Sequence, residues 1–404
     1  MKKLFLPLVL LGLFACNQQK KEERMSVTYP ETKKVDTVDT YFGTQVPDPY
    51  RWLEDDNSEE TKAWVIEQNK VTFDYLAQIP FRDTIKNRLT QIWDYPKVSA
   101  PFKEGGYYFV FKNNGLQNQS VVFMKKELDD EEKVVLDPNK FSDDGTVSLT
   151  NFEVSKDGKY IAYGVSRGGS DWNEFFVRDI ETGKNLEDHI EWVKFYGISW
   201  YKNGFFYNRY EAPKEGDQLK GENKNAKVYY HKIGDLQAKD KMIYAEPEFP
   251  DRGFHASVTE DKKYLIISST ESTSGNALFY KDLTIENSKV VKIVENFDND
   301  YWVLDHKDGK LLVMTNNNAP KYRVVSIDVN NFVADVWIDF IAEKEDAVLR
   351  GVSFVGGKAI ANYMKDAHSK IEIYSEDGKY ETDLKLPVLG TVGGFDGKKD
   401  DQFT

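Results

Sequence analysis

The sequence predicts a mainly β protein, a seven-bladed β-propeller with an incomplete last blade, preceded by a short α-helical N-terminal segment. Two observations predict this fold. Helical periodicity ends near residue 96, after which short runs of β-branched and aromatic residues alternate with turns of Gly, Asp and Asn. One type of hairpin then recurs seven times along the chain. Repetition of a four-stranded unit at such intervals is typical of propellers.

The start of the chain has the pattern of a bacterial lipoprotein signal. Two lysines precede an apolar stretch, residues 4–14, that is too short to span a bilayer. Leu13-Phe14-Ala15-Cys16 then resembles a lipobox, which predicts cleavage before Cys16 and lipidation of its thiol. An ordinary secretory signal with a chance cysteine is the alternative. Lipidation predicts a protein of the cell envelope, anchored to a membrane on its periplasmic or outer-membrane side.

Composition excludes two classes of protein. The net charge of −13 argues against nucleic-acid binding, which needs a basic face. Cys16 is the single cysteine, so a framework of internal disulfides is impossible. Residues 17–35 are polar and are predicted to form a linker.

Residues 36–95 form the predicted helical N-terminal segment. Pro47-Asp48-Pro49 favours an extended, irregular path up to about residue 57. Asn57 lies at the spacing of a helix start, and Pro80 should end that first helix. Apolar residues at helical spacing predict a second helix over residues 83–93.

Residues 96–404 form the predicted propeller. The turns of the recurring hairpin are separated by 52, 46, 58, 47, 48 and 40 residues, as marked by Gly106, Gly158, Gly204, Lys262, Gly309, Gly357 and Gly397. Each blade needs a second hairpin, and six candidates begin near residues 120, 174, 228, 277, 322 and 371. The sequence therefore predicts six full blades and the first hairpin of a seventh. An array of β-sandwiches with accidental spacing is the alternative.

Several longer strings resemble one family, the prolyl oligopeptidases. They are Asp48-Pro49-Tyr50-Arg51-Trp52-Leu53-Glu54-Asp55, Asn114-Gly115-Leu116-Gln117-Asn118-Gln119, Gly169-Ser170-Asp171-Trp172 and the closing run from Gly393 to Asp400. The resemblance runs from about residue 28 to the last residue.

The resemblance implies a serine endopeptidase that hydrolyses short peptides after proline. In the family, a propeller limits the size of the substrate, and a C-terminal α/β-hydrolase domain carries a Ser, Asp, His triad. These 404 residues do not include that domain, so the chain by itself is predicted to be inactive. Short proline-containing peptides and the hydrolase domain are the implied partners. The alternative is a non-catalytic, envelope-anchored propeller that acts as a binding module.

The residues present offer little catalytic chemistry. Gly164-Val165-Ser166-Arg167-Gly168 matches the nucleophile-elbow pattern G-x-S-x-G, but strands are predicted on both sides of it, whereas an elbow must lead into a helix. The acidic run at residues 129–132 is interpreted as a solvated turn. Each of five scattered histidines is interpreted as a loop or surface residue: His189, His231, His255, His306 and His368. No cofactor, metal site or catalytic residue is predicted.

Two aromatic residues are predicted to face the substrate, on the basis of the family resemblance alone. Phe195 aligns with a propeller aromatic that reaches toward the bound peptide. Phe254 lies in a loop that also faces the cavity above the active site. Ordinary packing within a blade is the alternative for both residues.

Overall fold

A computed structural model describes residues 27–214, 216–219, 221–395, 397–399 and 401. The chain divides into two compact units, the first ending at Ile92 and the second beginning at Trp93. The signal segment and Cys16 lie outside the described residues.

The first unit contains a hairpin and two helices. Its elements are β1 (Val38–Tyr41), β2 (Thr44–Pro47), α1 (Glu59–Ala77) and α2 (Arg82–Trp93). The irregular path predicted before residue 57 is wrong for β1 and β2, which pair with Val38 opposite Pro47. Phe42 and Gly43 both adopt positive φ, at 50° and 85°, and so close a tight two-residue turn between the strands.

The helices lie where the periodicity predicts them. Ser58, one residue after Asn57, caps α1 by accepting a hydrogen bond of 3.1 Å from the Thr61 backbone N–H. Thr61 is the one buried residue of α1, and no residue of α2 is buried. Apolar side chains such as Phe73 and Leu89 are more than half exposed, at 60% and 54%.

The second unit consists of six antiparallel sheets. The first blade has five strands, β3 (Lys97–Val98), β4 (Phe102–Glu104), β5 (Tyr107–Asn113), β6 (Val121–Lys125) and β7 (Lys133–Leu136). The second has β8 (Val147–Val154), β9 (Tyr160–Arg167), β10 (Asn173–Asp179) and β11 (Asn185–Val193). The third has β12 (Ser199–Tyr201), β13 (Gly204–Arg209), β14 (Lys227–Lys232) and β15 (Lys241–Ala245).

The remaining three blades follow the same order. The fourth has β16 (Gly253–Val258), β17 (Tyr264–Thr270), β18 (Ala277–Asp282) and β19 (Val290–Val294). The fifth has β20 (Tyr301–Lys307), β21 (Lys310–Thr315), β22 (Arg323–Asp328) and β23 (Ile338–Ile341). The sixth has β24 (Val348–Val355), β25 (Lys358–Lys365), β26 (His368–Ser375) and β27 (Tyr380–Leu384). The first six predicted turns fall between β4 and β5 in the first blade and between the first and second strands in each of the other five.

The core is divided among the seams between blades. Five apolar clusters each join residues of consecutive blades, from the first and second to the fifth and sixth. In the second seam, for example, Phe175 and Ile190 of one blade pack against Phe205 and Tyr207 of the next. Each sheet is therefore covered by its neighbour, which is how a propeller buries strands that are apolar on both faces.

The prediction of a seventh blade is wrong for the described residues. Between residue 385 and residue 401 the described part of the chain contains no strand, so six blades are formed. No strand is described around Gly397, where the sequence predicts a hairpin. The backbone at Val392 is hydrogen-bonded to side chains of the sixth blade. The Asn362 amide donates to the Val392 carbonyl oxygen at 3.0 Å, and the Val392 N–H donates to Ser369 Oγ at 3.1 Å.

Two lysines of this last segment reach other blades. Lys398 Nζ lies 2.9 Å from Glu104 Oε2 of the first blade, and Lys399 Nζ lies 2.7 Å from Asp305 Oδ2 of the fifth. Lys156 of the second blade also contacts Glu104, at 2.9 Å. Ion pairs therefore link this segment to the first and fifth blades.

Candidate functional site

The connections between blades and the turns between second and third strands lie at the same end of the propeller, because successive strands alternate in direction. We call this end the upper face. The turns between first and second strands lie at the opposite, lower face. Phe195 belongs to the connection between β11 and β12 and therefore lies on the upper face.

A groove of about 410 Å³ opens between the fourth and fifth blades. It extends from the β17–β18 turn toward the innermost strands β16 and β20. Its walls carry many hydroxyl groups, including those of Tyr196, Ser257, Ser268, Thr270 and Ser272, together with the half-exposed ring of Trp302. A mixed wall of this kind can hold an extended chain by hydrogen bonds and by contact with an aromatic ring.

One end of the groove is organised around Tyr196 and His255. The Tyr196 and Thr270 hydroxyl oxygens are 3.0 Å apart, and the Tyr196 and His255 rings lie 5.3 Å apart. His255 Nδ1 is buried and has no hydrogen-bond partner among the described residues. Burial lowers the pKa of His255 and so favours its neutral form.

The two residues predicted to face the substrate, Phe195 and Phe254, differ in exposure to solvent. Phe195 is 58% exposed, and its φ of +69° is rare for a residue with a side chain. The prediction that Phe254 lies in a loop is wrong, because Phe254 lies in β16. It is 1% exposed and packs in the cluster between the third and fourth blades, with its ring 5.3 Å from that of Tyr244. The side chain of Phe254 therefore fills a seam, and Phe195 is the one of the two that can contact a ligand.

Ser166 cannot act as an elbow nucleophile. It lies in β9, its side chain is buried, and its Oγ donates a hydrogen bond to the Ser170 carbonyl oxygen. The next element is the strand β10, as the sequence predicts, whereas a nucleophile elbow leads into a helix.

The interpretation of all histidines as loop or surface residues is wrong for His231, His255 and His306. His255 lies in strand β16, with its Nδ1 buried. His231 is fully buried between two carboxylates, with Nε2 2.9 Å from Asp188 Oδ1 and Nδ1 2.7 Å from Asp240 Oδ1. His306 is 3% exposed, and its Nδ1 lies 2.6 Å from Asp261 Oδ2. Sequence spacing gave no signal of these contacts, because the acids lie on different strands and turns.

Burial opposes a charge on His231, but the hydrogen bonds to Asp188 and Asp240 outweigh this effect and raise its pKa to about 9. Asp240 also accepts a hydrogen bond of 2.6 Å from the Tyr207 hydroxyl. Asp188 also accepts one of 2.7 Å from the Gly234 N–H. The cluster is sealed from solvent, so it stabilises the third blade and its contact with the second and cannot reach a substrate.

The described residues contain neither a metal-binding cluster nor a helix that could span a membrane. No group of three or more acidic, histidine or cysteine side chains is placed to hold a metal ion in the part of the chain that the structure describes. None of the helices described is both long and apolar enough to cross a bilayer.

The acidic run at 129–132 forms a turn between β6 and β7, where Glu132 pairs with Lys112 at 2.5 Å.

Comparison with known proteins identifies the domain. Residues 30–404 match the family described as prolyl oligopeptidase, N-terminal beta-propeller domain. The prolyl endopeptidase of Elizabethkingia miricola is 46% identical over 392 residues, covering 97% of this chain and 55% of the relative. Prolyl oligopeptidase A of Amanita bisporigera is 35% identical, covering 90% of this chain and 53% of the relative.

Solved structures agree with this assignment. Prolyl oligopeptidase B of Galerina marginata, bound to a 35mer hydrolysis and macrocyclization substrate, superposes with a TM-score of 0.81 at 30% identity. That match covers 92% of this chain and 56% of the solved one. The chain thus spans about half the length of the curated relatives it matches. It belongs to the prolyl oligopeptidase family and corresponds to the N-terminal, propeller-containing portion of its members.

Proposed function

We propose that this chain forms the substrate-facing propeller of a serine peptidase that hydrolyses short proline-containing peptides after proline. The propeller acts as the size filter, and an α/β-hydrolase domain supplies the triad. The described residues fit this division, since the one elbow-like serine is buried in a strand and the two buried histidines are bound to carboxylates.

The observation that carries the proposal is the placement of Phe195. An exposed aromatic ring loses contact with water when a ligand covers it, so it contributes to binding. A residue held at positive φ costs about 1–3 kcal/mol and persists only where the surrounding structure enforces it. The strained backbone at Phe195 therefore supports a role on the upper face, beside the groove that begins at Tyr196.

Peptide binding to the purified chain tests this role. The probe is the fluorescently labelled hexapeptide Gly-Phe-Gly-Pro-Phe-Gly, followed by fluorescence anisotropy. We expect Phe195→Ala to weaken binding about tenfold, the loss of one aromatic contact. Leu236→Ala is the matched control, because Leu236 is 66% exposed but lies in a turn on the lower face. Equal affinities of wild type and Phe195→Ala would overturn the proposal.

We also propose that Cys16 carries a lipid and anchors the protein to an envelope membrane. The support is the lipobox that follows the short apolar stretch. Mass spectrometry of the mature N-terminus should find a diacylglyceryl cysteine, and Cys16→Ser should release the protein into the soluble fraction. A mature protein with an unmodified Cys16, or one cleaved at another site, would contradict this proposal.

A further inference from the structure

The ammonium group of Lys194 is enclosed on the upper face, directly before Phe195. Lys194 is 7% exposed, although lysine is rarely buried without a charged partner. Its Nζ donates to Asn223 Oδ1 at 2.8 Å and lies 4.0 Å from the centre of the Trp172 ring. Among the described contacts no carboxylate is hydrogen-bonded to this nitrogen. Burial lowers the pKa of Lys194, and the charge of the nearby Asp171 opposes part of this effect.

Aromatic rings surround this ammonium. Trp172 meets Trp192 edge-on at 5.5 Å and Tyr210 edge-on at 6.2 Å. Tyr210 in turn meets the Phe195 ring edge-on at 6.5 Å, and Lys194 Nζ lies 5.9 Å from the centre of that ring. A desolvated cation over an indole face is attracted by its negative charge density. Lys194 therefore contacts Trp172 and Phe195 directly, and Tyr210 links the rings of these two residues.

The same group holds a long loop in place. β13 ends at Arg209 and β14 begins at Lys227, so the connection between them includes a long loop, residues 211–226, where most blades have a short turn. In the described part of this loop, two contacts reach the cluster: Asn223 accepts from Lys194, and the Gln218 carbonyl oxygen accepts from Trp172 Nε1 at 2.7 Å. Lys194 and Trp172 are therefore the two residues that donate these hydrogen bonds to the loop.

The backbone around Lys194 is strained on both sides. Trp192 has φ +64° and Phe195 has φ +69°, and neither is a glycine. The Lys194 carbonyl oxygen accepts hydrogen bonds from the Tyr196 N–H at 2.9 Å and the Asn208 amide at 3.2 Å. A strained segment of this kind relaxes when its anchoring contacts are removed.

We infer that Lys194 is a positioning residue that couples the 211–226 loop to the exposed ring of Phe195 and thereby sets the affinity for peptide. The inference rests on the proposed function, since it assigns Phe195 to peptide contact. A hydrophobic side chain of similar length would fill the same space at a lower cost of desolvation. The ammonium is what bridges the Asn223 amide and the Trp172 ring.

Two measurements on the full chain test the coupling, with Lys194→Met as the variant. Hydrogen exchange should become at least about fivefold faster in residues 216–224. Affinity for the labelled hexapeptide should fall at least about fivefold, which lies within the range that cation–π contacts contribute. Lys202→Met is the matched control, because Lys202 Nζ also lies over a ring, that of Tyr201 at 5.0 Å, but is exposed at a lower-face turn. The control should change neither quantity.

A double variant shows whether Lys194 acts through Phe195. In a Phe195→Ala background, Lys194→Met should cause no further loss of affinity, while it should still accelerate exchange in the loop. Additive losses of affinity, or a Lys194→Met chain with unchanged loop exchange, would overturn the inference. If Phe195→Ala leaves affinity unchanged, the proposed function fails, and the exchange measurement still decides whether Lys194 holds the loop.

Discussion

Replacing His231 with glutamine should remove a pH-dependent part of the stability of the third blade. The variant keeps a polar side chain of similar size but loses the charge between Asp188 and Asp240. In the native protein the pKa of His231 is raised from 6.5 to about 9. Each pKa unit corresponds to about 1.4 kcal/mol, so the charged form contributes about 3 kcal/mol to folding.

The direction of the pH effect follows from the raised pKa. The stabilisation is fully present below pH 6.5, where the unfolded chain also carries the charge, and it is lost as the pH rises through about 9. Burial works against a charge on Asp188, but hydrogen bonds from His231 and Gly234 lower its pKa. This carboxylate is therefore ionised in both folded and unfolded chains above pH 6 and adds no slope in that range.

Hydrogen exchange of the β14 amides at matched pH measures the effect, because intrinsic exchange rates cancel between wild type and variant. At pH 6 the variant should exchange about 100-fold faster, and the ratio should fall toward one by pH 10. His368→Gln is the control, since in the described structure His368 bonds to a backbone carbonyl oxygen and to no carboxylate. A ratio that does not change with pH would refute a charged His231 in the folded protein.

Three further outcomes are expected. The purified chain should not react with a fluorophosphonate probe or cleave a Gly-Pro chromogenic peptide, and labelling abolished by Ser166→Ala would contradict the buried position of that serine. Glu104→Gln should accelerate hydrogen exchange in residues 390–399, because the Glu104 carboxylate pairs with Lys398. In wild type, 0.5 M NaCl should also accelerate this exchange, because salt screens the ion pair. Exchange rates that neither change alters would argue against an ionic link. Amides of α1 and α2 should exchange faster than those of β9 and β10, since the helices bury few side chains, and equal protection would oppose this.

The blades could be predicted because their signal is local. Each of the first six predicted turns closes a hairpin, and at most of these positions glycine provides a positive φ without steric cost. Lys262 adopts the same conformation, with φ +61°, although it is not a glycine. Its turn can be predicted from the spacing of the repeats and from the preceding Asp261. The hairpin at residues 38–47 differs from the irregular path predicted there, because Pro47 is the last residue of β2 and does not interrupt the pairing of the two strands.

The candidate site was harder to predict, since it depends on contacts between distant residues. Phe195 and Phe254 look equivalent in sequence, yet one is exposed and the other fills a seam. The acids that bury His231 lie 43 residues before it and 9 residues after it. The role assigned to Lys194 depends on Trp172 and Asn223, which belong to turns of two different blades.

The seams between blades also determine how the propeller can be synthesised. Every strand in the six sheets is hydrogen-bonded within its own blade, so each blade can complete its pairing before the next one leaves the ribosome. The five apolar clusters, however, need the following blade. A nascent propeller therefore carries one uncovered apolar face at its growing end. The opening turns of successive blades are 46–58 residues apart, so that face stays uncovered for about 2–12 seconds at roughly 5–20 residues per second.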